Sequence, residues 1–381
     1  KRTWRLSLRI RITSMALTTV RPQGMGFDTG RRNTVINGAM QVAQRGTSTT
    51  GSSSNNVFPA CDRWKVGFTS GGTYDFSQST DAPDGFSNSI KVKCASTDTS
   101  IASGDEFVVQ HRIEAQNLQQ LAYGTSAAKD ITLSFYAKAV NKTGTYCVHI
   151  QKNDSTAAYI YKEYTLTTSW QRFELTFPAN AVVQASGGAI ANDNGIGLII
   201  MFILMNGSST QGTDAKDQWS TTNHRSSSSQ VNFMDSTSNE WYVTGVQLEL
   251  GSNASDFEHR SFAEELTLCL RYYYAIADGS ASVMSVGNSS YYNNTYINGI
   301  TPLPVLMRAK PSIEQTTGTN YFKIIAGGAS DTFNGFDGLG NTTTLHQAEL
   351  YASSNLSGTQ GHGGIVSSDS SSARLAFSAE L

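Results

Sequence analysis

Charge is what this chain has least of. Only 15 % of its 381 residues are Asp, Glu, Lys or Arg, where soluble domains usually carry about a quarter. The formal net charge is −2, so no global field draws the chain toward nucleic acid or inserts it into an anionic membrane. Cysteine is sparse too. Cys61, Cys94, Cys147 and Cys269 lie far apart and form no CxxC pair, which excludes the usual spacing of structural zinc. A chain this long needs no disulfide staples, and buried free thiols are expected. The longest apolar run, Ile196 to Met205, is interrupted by Gly197. It is too short to span a bilayer and suits a buried strand. The six histidines never pair at i, i+2 or i, i+4, so no His-metal motif is present. There is no GxSxG elbow and no cysteine in a protease pattern. No fixed-period repeat appears, which argues against a β-helix or a propeller.

Ser, Thr, Asn and Gly fill the space that charge leaves. That composition suits short strands joined by many turns and does not suit helical bundles. Ten strand-like runs recur before residue 251: Trp64–Phe68, Gly72–Ser77, Ser89–Cys94, Glu106–Glu114, Ile131–Ala139, Thr145–Gln151, Ala158–Leu166, Gln171–Phe177, Ile196–Met205 and Trp241–Leu250. Turn residues separate most of them, the pattern of an antiparallel sandwich or jelly roll. Residues 46–56 and 206–230 read as polar loops. Leu118–Tyr123 reads as a turn or one helical turn.

The stretch Trp241–Tyr274 joins two halves. Its first ten residues alternate as a strand. Ser261-Phe262-Ala263-Glu264 then has the form of a capping box. Phe262, Leu266, Cys269, Leu270 and Tyr273 follow at helical spacing, so a helix of about three turns is expected over 261–274. The second half is poor in apolar residues. Its weak strand candidates are Tyr291–Ile300, Ile313–Gln315, Tyr321–Ala326 and Arg374–Phe377, with Met307 between the first two. Thr301-Pro302-Leu303-Pro304 and Lys310-Pro311 restrict central pairing. The expected organisation is an arm over 1–30, a jelly roll over 31–260, a linking amphipathic helix over 261–276 and a smaller β domain over 277–381. The whole is all-β: a jelly-roll β-sandwich, a short helix, then a second, smaller β-sandwich. The arm KRTWRLSLRIRITS alternates basic and apolar residues. It reads either as a docking arm or as upstream sequence ahead of Met15, and its basic end lacks the apolar core of a secretory signal.

Several landmarks occur in order: NTVINGAMQVAQRGTS, CDRW, SGDEFVVQHRIEAQNLQQLAYG, ITLSFYAKA, SWQRFELTFPA, YVTGVQLELG, FEHRSFAEELTLCLRYYY and TPLPVLMRAKPSI. Together they resemble the carbohydrate-binding-like jelly-roll proteins of tailed bacteriophages, tail fibre or receptor-binding structural proteins. The combination of GVQLELG with FEHRSFAEELTLCLRYYY is the most specific part. The resemblance implies a virion surface protein, usually trimeric, that meets host surface polysaccharide and binds other virion proteins through its N-terminal arm. Ala39 stands where the family usually has Asp after the Asn-Gly, which weakens transfer of a calcium role.

A sugar-binding surface needs flat aromatic faces and hydrogen-bonding amides, carboxylates or guanidinium groups. Trp219 sits mid-loop among Asp214, Lys216, Asp217 and His224 with little to pack on locally, which makes it the first candidate contact. Trp64 and Tyr74 are further candidates, with a core position as the competing reading. Tyr291, Tyr292 and Tyr296 form a Tyr/Asn cluster with Asn293 and Asn294 and read either as a contact surface or as a strand end. Phe262, Leu266, Cys269 and Tyr273 are the expected oligomer interface. Asn37, Gln247 and Glu249 are candidates for a structural calcium site; no other cofactor is expected. Asp75, Glu106, Glu114 and Glu174 are the carboxylates that a glycan depolymerase would need to pair. The leading expectation is a non-catalytic glycan-adsorbing component of a phage tail or particle surface. Capsid decoration, a head fibre or a tail adaptor is the structural alternative, and a depolymerase is the third.

Overall fold

Alternating apolar residues build the first sandwich, and a computed structural model of the chain describes residues 32–381 of it. The arm over 1–30 lies outside the described residues. Eleven strands come first: β1 Ser48–Ser52, β2 Trp64–Thr69, β3 Thr73–Ser79, β4 Ser89–Ser96, β5 Glu106–Glu114, β6 Ile131–Val140, β7 Gly144–Lys152, β8 Ala158–Leu166, β9 Gln171–Phe177, β10 Ile196–Asn206 and β11 Glu240–Leu250. They form a six-stranded sheet ordered β1-β3-β4-β11-β6-β9 and a five-stranded sheet ordered β2-β5-β10-β7-β8, a jelly-roll sandwich. Trp64, Phe107 and Phe202 from one sheet meet Phe76, Phe135 and Trp241 from the other in a continuous apolar core. Phe202 packs edge-on against Phe135 with centroids 5.0 Å apart, a preferred aromatic geometry. All four cysteines are buried free thiols.

The turn after Asn33 is the knot that closes this sandwich. The Asn37 side chain donates to the Val42 and Asp62 carbonyls at 2.8 and 2.9 Å and accepts from the Val42 amide at 3.0 Å. The Asn37 carbonyl accepts from the Trp64 indole at 3.0 Å. Gly38 is required by close approach: a Cβ there would lie 2.2 Å from the Val246 carbonyl oxygen.

A short α1 (Ala181–Gln184) lies within the sandwich, and α2 (Phe262–Leu270) follows it. The expected capping box at Ser261 is formed in both directions. The helix stops at Leu270, short of the expected 274, because Tyr273 already pairs with Ser378 in a sheet. Ten more strands follow: β12 Tyr273–Ala277, β13 Ser285–Asn293, β14 Tyr296–Pro302, β15 Ser312–Thr316, β16 Phe322–Ala326, β17 Ala329–Phe333, β18 Gly338–Leu339, β19 Gln347–Ala352, β20 Gly363–Ser368 and β21 Arg374–Ser378. They make a three-stranded sheet, β12-β21-β15, and a seven-stranded sheet, β17-β16-β20-β13-β14-β19-β18. Leu375 and Phe377 of the first share a second core with Phe322, Ile324, Leu350 and Val366 of the other. Residues 33–381 form one compact unit with these two cores.

Two local expectations are corrected. Residues 46–56 are not all loop: β1 lies there and pairs with β3. Its side chains are polar and largely exposed, so it leaves no apolar signature. Tyr291–Ile300 is not one strand but the tip of a hairpin, where Asn293 Oδ1 accepts from the Thr295 amide at 2.9 Å to turn the chain. Residues 206–230 are fastened to β8 by bridges Tyr159–Ser220 and Tyr161–Lys216 and cover a small apolar cluster that includes Cys147, Tyr161 and Met201.

The two sandwiches are clasped by buried ions. Arg63, with φ of 71° just before β2, pairs with Glu380 just beyond β21. Its guanidinium lies 3.5 Å from the Tyr272 ring centroid and donates to the Arg112 carbonyl at 2.7 Å. Arg45 holds the same carboxylate at 3.3 Å. Beside them Arg271 donates to both oxygens of Glu114, each at 2.9 Å, and the Tyr272 hydroxyl bonds that carboxylate too. Removing one partner of a buried pair leaves the other charge uncompensated, which costs about 3–5 kcal/mol. Glu380→Ala is therefore expected to lower the unfolding free energy by about that amount in urea titration. A loss below about 1 kcal/mol, the range of surface pairs, would show that the clasp is not structural.

Candidate functional site

The structure withdraws most of the aromatic residues that sequence reasoning offered. Trp219 is 2 % exposed and packs edge-on against Tyr123 at 5.9 Å. The loop that carries it folds back onto the sandwich, so the partner missing from the neighbouring sequence comes from residue 123. Trp64 and Tyr74 are fully buried, and the Tyr74 hydroxyl donates to the Ser54 carbonyl at 2.9 Å. Tyr291 is buried with its hydroxyl on Asp331 at 2.6 Å. None of these four presents a ring face to solvent. Tyr292, by contrast, is 69 % exposed.

The expected oligomer stripe does not form one face. Phe262 is exposed, but Cys269 is buried and Tyr273 belongs to β12. The inward side of α2 instead carries Glu265 with Cys269, and Glu265 accepts from the Asn37 amide at 2.6 Å. The proposed calcium donors are spent on folding. Gln247 Nε2 donates to Glu249 at 3.1 Å and Gln247 Oε1 accepts from the Glu258 amide at 2.8 Å. Glu249 accepts from Ser255, and Asn37 is committed as described above. The four carboxylates considered for chemistry do not gather. Glu106 and Glu114 stand at opposite ends of β5. Asp75 holds the Gly51 amide, Glu106 pairs with Arg225, Glu114 with Arg271 and Glu174 with Arg172.

Two surfaces remain. One is a cleft of about 400 Å³ between β1 and the three-stranded sheet. Its rings are already taken: the Arg45 guanidinium sits 3.5 Å from the Tyr273 centroid and 4.9 Å from that of Phe58. The cleft is thus part of the clasp. The other is the face of the seven-stranded sheet turned away from its core. Along β13 the buried Val286 and Tyr291 point inward while Asn288, Ser290 and Tyr292 are exposed. Strand alternation carries the same face across the neighbours.

Register aligns this face into rows. Ser330, Ile325, Ile365, Asn288, Ile300 and Glu349 are successive cross-strand neighbours. Gly363, Ser290, Asn298 and Tyr351 form the next row. From Tyr351 an aromatic ladder continues outward: Tyr292 meets Tyr296 edge-on at 6.0 Å, and Tyr296 stacks on Tyr351 at 5.8 Å. Between the isoleucines and the tyrosines is a shallow depression of about 420 Å³, lined by Asn288, Ser289, Ser290, Asn298, Gly299, Gly363, Gly364 and Ile365. Glycines leave its floor as bare backbone. The carboxylate of Glu349 is held by the Thr342 amide and hydroxyl and by Asn298, and the Thr342 bonds keep it below the usual range. Of these residues, the alternation of NSSYYNNTYINGI could have flagged Asn288, Ser290 and Asn298. Tyr351 and Ile365 come from strands that only the pairing brings here.

No family model and no curated protein matches this chain. Among solved structures it is similar to a CBM4 structure, at 17 % identity over 57 % of this chain and 99 % of that one, with a TM-score of 0.30. It is also similar to a family 11 carbohydrate-binding module from Clostridium thermocellum in complex with a mixed-linked tetrasaccharide, at 13 % identity, over 56 % and 98 %, TM-score 0.28. A third is the enzymatically active domain of bacteriophage CBA120 tailspike protein 4, at 14 % identity, over 57 % of this chain and 21 % of that one, TM-score 0.30.

The outer side of the five-stranded sheet is closed by the 206–230 loop and holds a titratable ring. His149 is fully buried against Tyr159 at 5.9 Å, and neither ring nitrogen has a hydrogen-bond partner. Burial, followed by the charge of Arg225, draws its pKa down to about 3. His111, edge-on to Trp64 at 5.2 Å, is held well below its ordinary value by burial and then by Arg63. Asp62 moves the other way, raised to about 6 by burial despite Arg45 and Gln44. A lowered histidine pKa gives stability that is present above about 6.5 and lost as pH falls toward the folded value. A raised Asp pKa opposes this, regaining stability as pH falls below about 6. Two histidines outweigh one aspartate, so unfolding free energy should decline between pH 6.5 and 4.5. Each histidine contributes at most roughly 1.4 kcal/mol per pH unit. His149→Phe should flatten that decline in urea titrations at several pH values; an unaltered slope would remove His149 from the account.

Among the described residues no helix is long and apolar enough to cross a membrane.

Proposed function

We propose that the open face of the seven-stranded sheet is a non-catalytic glycan-binding surface, and that the chain is a phage virion component, a tail fibre or tail-tip protein, that uses it to adsorb to host surface polysaccharide. The observation that carries the binding role is the ladder Tyr292–Tyr296–Tyr351, exposed at Tyr292 and half-buried at the other two rings, beside a depression lined by Asn288, Ser290 and Asn298. Pyranose rings offer C–H faces that suit exposed aromatic rings, and their hydroxyls suit amides and Ser that donate and accept. The surface is flat and open, which fits a polymer passing across it better than a small molecule enclosed in a pocket.

The phage role is supported by the ordered landmarks from NTVINGAMQVAQRGTS to FEHRSFAEELTLCLRYYY. In that setting a single weak site is useful because copies act together. A homotrimer held on the particle through the N-terminal arm would present three such faces, and linked sites gain on the order of 10² in avidity when geometry lets them engage together.

Tyr292→Ala tests the surface directly. The ring is exposed, so stability should change by no more than about 0.5 kcal/mol. Affinity for a host polysaccharide bound by the parent chain should fall about tenfold, a loss of about 1.4 kcal/mol, in isothermal titration. Unchanged affinity, or no polysaccharide binding by the parent chain, would overturn the assignment.

A further inference from the structure

The glycan reading leaves open which sugars fit, and the row of isoleucines beside the depression narrows it. Ile325, Ile365 and Ile300 are 48, 56 and 41 % exposed. They stand in one cross-strand row, with Ile325 and Ile365 on adjacent strands and Asn288 between Ile365 and Ile300. With strands about 4.8 Å apart, the row from Ile325 to Ile300 spans roughly 14 Å. With Tyr292 they make four of the nine large apolar side chains exposed among the described residues. Such clustering marks a contact surface more than scattered exposure does.

No charged side chain lines the depression itself. Of the basic side chains near it, Lys323 is paired with Asp369 at 2.7 Å, and the charge of Lys310 acts on Glu349. Glu349 is also bonded to Thr342 and Asn298. A carboxylate or phosphate laid in the depression would meet amides, hydroxyls, glycine backbone and aliphatic carbon, with the Glu349 charge nearby. Desolvating an anion without a cation to receive it is costly.

We infer that, given the proposed glycan role of this face, its ligand class is a neutral polysaccharide whose residues carry methyl groups, as 6-deoxyhexoses and N-acetylated sugars do. The rings lie toward Tyr292, Tyr296 and Tyr351. The hydroxyls and acetamido groups bond Asn288, Ser290 and Asn298. The methyls rest on Ile365 and its row neighbours. Each methyl taken out of water gains roughly fourfold in affinity, so two or three in contact discriminate by tenfold or more against a chain bearing hydroxyls alone.

The experiment is binding of the full chain to an array of bacterial polysaccharide fragments sorted into three classes: neutral with 6-deoxy or N-acetyl groups, neutral with hydroxyls only, and acidic. The best fragment of each class is then titrated calorimetrically. The expected result is at least tenfold tighter binding of the first class than the second, with the acidic class weakest. The ratio between the first two should collapse toward one in Ile365→Ser, an exposed substitution whose melting temperature is checked in parallel. Equal affinities for the first two classes, or preference for the acidic one, overturns the ligand class while Tyr292→Ala sensitivity still upholds the binding face. Absence of binding to every class overturns the glycan reading itself. A change in oligomeric state of Ile365→Ser by light scattering, with the ratio intact, assigns the isoleucine row to a second copy of the chain and also overturns the inference.

Discussion

The ion pair between Arg63 and Glu380 is the constraint on which the arrangement depends. Two charges that far inside the protein are tolerable only because each is met several times over: the carboxylate by Arg63 and Arg45, the guanidinium by Glu380, the Arg112 carbonyl and the Tyr272 ring. The pair joins the start of β2 in the first sandwich to the tail of β21 in the second. β21 is the middle strand of its three-stranded sheet, and its Leu375 and Phe377 form one wall of the second core. Once Glu380 is anchored, that wall is fixed. The seven-stranded sheet then has its inner face committed and its outer face left open.

The two sandwiches solve different problems with the same alternation. In the first, aromatic and aliphatic side chains from both sheets fill a broad core, and the remaining outward positions of the five-stranded sheet are sealed by the 206–230 loop. That sealing buries His149 with no partner for either nitrogen, a local cost that surrounding apolar contacts offset. In the second, small residues predominate. Gly299, Gly363 and Gly364 bring backbone to the surface, and Tyr292 stays exposed while Tyr291, Phe322 and Phe377 are enclosed. The outer face left by this arrangement is open and shallow.

Local sequence is a poor guide to which side chains reach solvent. Trp219 looked unpacked because its neighbours in the chain are polar, yet Tyr123, nearly a hundred residues away, receives it. Trp64 begins β2 and Tyr74 is the second residue of β3, and alternation sends both inward. Asn37, Gln247 and Glu249 have the chemistry of cation ligands, but their polar atoms are consumed in turning the chain. Tyr292 of the Tyr/Asn cluster is exposed. Its neighbour Tyr291 faces the core because successive strand residues alternate.

The order of elements from β2 to β11 was determined by the sequence alone. Period-two alternation, turn residues and the Ser261–Glu264 box suffice to place these strands and the start of α2, because these signals are local. A strand such as β1, which carries Ser, Thr and Gly in place of apolar residues, exists only because a neighbour supplies its hydrogen bonds. The open face likewise belongs to the tertiary structure. Ile365, Asn288 and Ile300 become one row, and Tyr296 meets Tyr351, through pairing between distant segments. A single chain read in order carries no physical signal for which of its edges will meet.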